Sequence, residues 1–114
     1  RQVGKIMLKP GFETDELISL KVFGREAEYE DHPLVGIVEV CPAYSTNDGR
    51  AFDIIKRLQR RLLNVELGTI DNLWYCNMHI DENTSYSCTA KTAALAICNV
   101  ALETVKELDK YKNN

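Results

Sequence analysis

Ala90-Lys91-Thr92-Ala93-Ala94-Leu95-Ala96-Ile97-Cys98-Asn99-Val100-Ala101-Leu102 is the stretch that decides how this chain folds. Five of these thirteen residues are alanine and none is proline or glycine, so the stretch reads as a helix that continues to about Lys110. Thr89 is the expected N-cap, and Tyr111 to Asn114 the fraying tail. Small side chains let a sheet lie close to a helix axis, which makes the run a packing element before it is a chemical one. Its uncharged part, Ala93 to Leu102, contains Asn99 and is too short to cross a bilayer.

Upstream of this helix, Leu73 to Ile80 and Val65 to Gly68 read as strands joined by a polar turn from Thr69 to Asn72, and Tyr86 to Cys88 adds a short edge. Between Asn47 and Leu63, apolar Ala51, Ile54, Ile55, Leu58 and Leu62 recur at three- and four-residue spacing, the mark of an amphipathic helix. Val35 to Cys41 is β-branched and alternating, a strand ended by Pro42. Arg25 to Pro33 is acidic and reads as an extended or irregular connection, because Pro33 forbids helix. Near the N-terminus, Thr14 or Glu13 is placed to start a helix, with Leu17, Ile18, Leu20 and Val22 on or near one side. Gly24 is placed to end it as a C′ residue.

The order helix, strand, helix, strand, strand, helix predicts an α/β (α+β) layered domain: a small, mostly antiparallel sheet with helices packed over it. At 114 residues one domain is expected across 1–114, with an N-terminal helical segment at 10–24 and a main layered unit at 34–110.

The alanine-rich run, together with Pro42-Ala43-Tyr44-Ser45-Thr46-Asn47, resembles the phage ABA sandwich domain family of small bacteriophage and prophage proteins. Pro10-Gly11, Glu13, Asp15, Leu17, Lys21-Val22 and Gly24 extend the resemblance, which spans about Pro10 to Val105. The family implies an α-β-α sandwich and carries no settled catalytic activity. Where its pattern has Asp after the Thr, this chain has Asn47 and then Asp48-Gly49-Arg50, so no acidic role transfers to position 47.

Composition excludes several classes. The apolar and charged fractions are those of an ordinary globular protein. Cys41, Cys76, Cys88 and Cys98 lack the density of a secreted disulfide scaffold and read as reduced thiols. With no C-x-x-C pair and only His32 and His79, neither a metal site nor a cofactor is expected. No signal-peptide pattern opens the sequence, so the bacterial host cytoplasm is the expected location, with no membrane partner.

Catalysis requires a nucleophile with a base, paired acids or a metal, and the chain offers few candidates. Cys76 and His79 sit three apart on one strand and so point to opposite faces. The sharper features are electrostatic. Positions 50 to 61 hold Arg50, Lys56, Arg57, Arg60 and Arg61 against Asp53, about +4, while the rest of the chain sums to about −7. The bland reading is a solvated face whose arginines pair with Glu66 or with the acidic Glu26 to Asp31 run. The functional reading joins these arginines to Tyr44-Ser45-Thr46 at a helix N-terminus, where free N–H groups hold an anion or a nucleotide phosphate. Against it, a Ser or Thr there is the ordinary helix cap.

The candidate ligand-binding residues are therefore Tyr44, Ser45, Thr46, Asn47, Arg50, Arg57, Arg61 and Trp74, with Trp74 read first as a core aromatic and, in the functional reading, as one that stacks on a base. Nucleic acid is disfavoured by the net charge of −3 and by the lack of aromatics among the basic residues. The resulting expectation is a non-enzymatic phage accessory protein that binds a host factor or an anionic small molecule, including a counter-defence protein that sequesters a nucleotide immune signal. Alternatives are an assembly module acting as a homo-oligomer through an open sheet edge or the alanine-rich helix, and an enzyme with an unrecognised site.

Overall fold

A computed structural model describes residues 8–25, 28–34 and 36–112, without the side chains of 28–32, 36–40, 111 and 112. Its centre is the alanine-rich helix. That helix, Ala93–Lys112, is the last of three, and from Ala93 to Ala101 every residue but Leu95 is buried. One side packs on a three-stranded sheet and the other on the two earlier helices. The alanines thus permit close approach from two directions, where the sequence implied one.

In chain order the elements are α1 (Phe12–Lys21), β1 (Glu28–His32), β2 (Gly36–Val40), α2 (Asp48–Leu58) with a 3₁₀ turn (Gln59–Arg61), β3 (Asn64–Ile70), β4 (Leu73–His79), β5 (Ser85–Ala90) and α3 (Ala93–Lys112). This is an α+β fold, with β3-β4-β5 an antiparallel meander and β1-β2 a separate antiparallel hairpin. Asp71 and Asn72, at φ 52° and 66°, form the two-residue hairpin turn between β3 and β4. Asn and Asp tolerate that left-handed backbone, which matches the twist of the strands.

Alternation assigns the sheet its two faces. Cys76, Met78 and Cys88 are buried toward α3, with half-buried Val65, Trp74, Tyr86 and Ala90 packed around them. The other face carries Glu66, Tyr75, Asn77, His79 and Ser87. Cys76 and His79 therefore do lie on opposite faces. Cys76 and Cys88 are directly opposed across β4 and β5, and no disulfide links any of the four cysteines.

Several local readings change. Residues 28–32 form a paired strand, because β2 supplies a ladder that an acidic sequence does not advertise. Val35, read as the start of the next strand, lies outside the described residues. Residues 86–88 belong to a full third strand, and pairing with β4 draws Thr89 into it, opposite Tyr75. The cap of α3 is Thr92 instead, whose Oγ1 accepts the Leu95 N–H at 3.1 Å. In α1 the N-cap is Gly11, while the Thr14 hydroxyl donates to the Lys9 carbonyl. Of the four apolar residues expected along one side, only Ile18 and Val22 are buried; Leu17 and Leu20 are exposed. Gly24 closes α1 as expected, at φ 67°, with its N–H donating to the Leu20 carbonyl.

Asn99, the polar interruption in the alanine run, is 5% exposed. Its Oδ1 accepts the Leu8 N–H at 2.7 Å and its Nδ2 donates to the Leu8 and Leu95 carbonyls. It ties the chain before α1 to the central helix and satisfies backbone groups there.

Candidate functional site

The turn Tyr44-Ser45-Thr46 precedes α2 and faces inward at its first two residues. Tyr44 is 2% exposed and Ser45 fully buried. The Ser45 N–H donates to Asp15 Oδ1 at 2.8 Å, and its Oγ accepts the Gly11 N–H at 2.9 Å. Ser45 thus docks α1 against the start of α2 and does not present its hydroxyl to solvent. Thr46 is exposed. The helix cap is Asn47, whose Oδ1 accepts the Arg50 N–H at 2.9 Å.

Asp48, one residue on, places Oδ1 3.1 Å from the Ala94 N–H at the start of α3. Carboxamide and carboxylate oxygens thus take up one N–H at each of two neighbouring helix starts. A negative side chain there also occupies the positive end of the dipole that an incoming anion would use. Ser45 is therefore structural, and of this turn only Tyr44 comes near the arginines.

The basic face of α2 follows from the amphipathic pattern. Ala51, Ile54, Ile55 and Leu58 are buried, which turns Arg50, Lys56 and Arg57 outward, with Arg60 and Arg61 exposed on the 3₁₀ turn. None of the five forms an ion pair with a described acidic residue. Glu66, expected to pair with this helix, instead accepts from His79 Nε2 at 2.9 Å and from Asn77 Nδ2 at 3.2 Å on the open sheet face. The side chains of residues 26–31, the other expected acidic partners, lie outside the described ones.

The structure adds two residues that sequence reasoning passed over, Phe23 and Arg25. The Phe23 ring stacks on Tyr44, centroids 5.1 Å apart and planes 16° from parallel. The guanidinium carbons of Arg25 and Arg57 lie 5.0 and 6.0 Å from the Phe23 centroid, within cation–π reach. Arg25 also donates to the Tyr44 hydroxyl at 3.4 Å. Burial pushes that hydroxyl above its ordinary acidity range, against the opposing pull of the Arg25 charge. An aromatic residue just before the glycine that closes a helix was the available signal, since hydrophobic contacts commonly accompany that cap.

Of the candidates, Tyr44 and Arg57 are thus brought together through Phe23. Arg50 lies two turns before Arg57 on the same side of α2, and Arg61 follows it past the helix end. Trp74 belongs elsewhere: it sits on the sheet face that packs against α3 and is part of the core margin. Among the described residues no group of three or more His, Cys, Asp or Glu is placed to hold a metal ion, and no helix is long and apolar enough to cross a membrane.

A helix sandwiched between a small antiparallel sheet and two further helices, one of them arginine-faced, defines the class: a small layered α+β protein. The family model described as the phage ABA sandwich domain matches residues 16–102, and the chain belongs to that family. It is also similar to the crystal structure of a phage protein from Bacillus cereus ATCC 14579, at 25% sequence identity and a TM-score of 0.61, over 79% of this chain and 86% of that one. No curated protein matches the sequence.

Proposed function

We propose that this phage protein acts without catalysis, capturing an anionic partner in the host cytoplasm through the arginine face of α2. The carrying observation is that Arg50, Lys56, Arg57, Arg60 and Arg61 all project outward without a described acidic partner, on a chain whose net charge is negative. Such a face attracts anions while the remaining surface repels them, which favours a compact anion over a long polyanion. A nucleotide-type immune signal of the host fits that description, and its sequestration would make the chain a counter-defence protein.

The non-enzymatic reading is supported by the thiols. Burial pushes Cys76 and Cys98 up to about 12, which leaves them poor nucleophiles near neutral pH. Thermal-shift screening of the wild-type chain and Arg50→Gln/Arg57→Gln/Arg61→Gln against cyclic dinucleotides and ADP-ribose derivatives tests the reading. A ligand should raise the wild-type melting temperature and leave the triple variant unmoved. No response across the panel removes the nucleotide reading.

A second reading is self-association. Among the described residues no strand lies beside the outer edge of β3, and Ile70 and Leu73 beside the hairpin turn are exposed. Light scattering at high protein concentration tests it, and a monomer throughout would remove it.

A further inference from the structure

We propose that Arg25 and Arg57, on the Phe23 platform, form a subsite for a small molecule that carries a diphosphate group. The inference rests on α2 being an anion-binding face and extends that face to a residue outside α2. Both guanidinium carbons lie near one ring, so they are no more than 11.0 Å apart, the two centroid distances laid end to end. Two like charges held this close raise each other's energy unless an anion joins them. No described carboxylate does so. Asp53, one turn before Arg57, is close enough to influence the Tyr44 hydroxyl, yet forms no ion pair with either arginine.

The platform is also held in place before any ligand arrives. Phe23 stacks on Tyr44, which is buried and whose own N–H donates to the Pro42 carbonyl. Arg25 is fixed at both ends: its backbone N–H donates to the Ser19 carbonyl and its guanidinium to the Tyr44 hydroxyl. Ordering a long side chain is a large part of the cost of binding, and here much of it is met during folding. One guanidinium N–H is used by Tyr44 and the other donors remain for a ligand. A guanidinium fork matches the oxygens of a phosphoryl group. Two forks beside one ring suit two linked phosphoryl groups, whereas a lone carboxylate satisfies only one.

Titration calorimetry of the full chain with inorganic pyrophosphate, orthophosphate and ADP tests the subsite in the wild type, in Arg25→Gln, in Arg57→Gln and in Arg60→Gln/Arg61→Gln. Pyrophosphate and ADP are expected to bind, with orthophosphate about tenfold weaker. Arg25→Gln and Arg57→Gln should each weaken pyrophosphate about tenfold, the effect of losing one charge-assisted contact. Arg60→Gln/Arg61→Gln, which thins the wider face but spares the Phe23 ring, should weaken it less than either of those single variants. Circular dichroism melts establish that each variant folds, and Phe23 ring proton shifts during a wild-type NMR titration give a readout independent of the variants.

Failure of pyrophosphate and ADP to bind the wild type, or undiminished binding by either single variant, overturns the subsite. Loss confined to Arg60→Gln/Arg61→Gln overturns the subsite and leaves the α2 face standing; binding unchanged in every variant overturns both. Salt-sensitive self-association that needs Arg25 and Arg57 and resists competition by pyrophosphate would assign the arginines to a second copy of the chain and also overturn the proposal.

Discussion

Ser45 donates its backbone N–H to the Asp15 carboxylate across thirty positions of chain, in a buried bond of 2.8 Å that fixes α1 against the start of α2. Asp15→Ala leaves that N–H buried without a partner and should cost about 2 kcal/mol, read as a lower urea midpoint with an unchanged slope. Asp15→Asn keeps an oxygen acceptor and should cost less. Equal losses for the two variants would place the importance of Asp15 outside this bond.

Asn47 and Asp48 serve two helices from adjacent positions. Asn47→Ala should cost about 1 kcal/mol by uncapping α2. Asp48→Ala should chiefly loosen the start of α3, seen as faster hydrogen exchange at the Ala94 amide. Unchanged exchange at Ala94 would count against that bond.

Tyr75 covers Gly68 on the open sheet face, where a β-carbon added to the glycine would meet the ring hydroxyl at 2.8 Å and ring carbons at 2.9 Å. Gly68→Ala should therefore displace the ring and cost about 1 kcal/mol in the wild type. In a Tyr75→Ala background the same change should become neutral or stabilising, because alanine loses less backbone entropy than glycine. Additive effects would show that the ring does not cover Gly68.

Glu66 titrates below its ordinary value, chiefly because His79 hydrogen-bonds its carboxylate, with Asn77 second. A carboxylate with a depressed folded pKa adds stability above its unfolded pKa, and this stability is lost as pH falls through the lower, folded pKa. NMR titration should place the Glu66 midpoint below 4.5 in the wild type and closer to it in His79→Phe. An identical midpoint in both would remove His79 as the cause. The pair is exposed, so high salt should shrink the difference.

Cys41 is the one half-buried thiol among four, the others being buried. A thiol reagent should label about one cysteine promptly in the native chain and four after unfolding. Raising the pH to about 9 should not release Cys76 or Cys98, because burial pushes both thiols up to about 12. Prompt native labelling of Cys76 would contradict its burial.

Periodicity made much of the fold legible. The spacing of Ala51, Ile54, Ile55 and Leu58 marked α2, the alanine run marked α3, and the left-handed cap at Gly24 was placed correctly. Strand pairing was less visible. The acidic 28–32 segment and the serine-rich 85–90 segment become strands because a neighbouring strand offers hydrogen bonds, which local composition does not record. The candidate site divided in the same way. The exposed arginines followed from helical spacing, but the inward turn of Ser45 and the meeting of Arg25 with Arg57 over Phe23 depend on how α1 docks beside α2.

The sequence by itself determined the family, the fold class, the helical run at its centre and a basic helix on an acidic chain. The family rests on a resemblance of short motifs, and the others rest on local spacing and counting, which survive without knowledge of neighbours. Only the tertiary structure decided that α3 is buried from both sides, that Tyr44-Ser45 is a joint between helices, and that two arginines from separate segments share one aromatic ring. Each is a contact between residues far apart in the chain, and its energy exists only once packing brings them together.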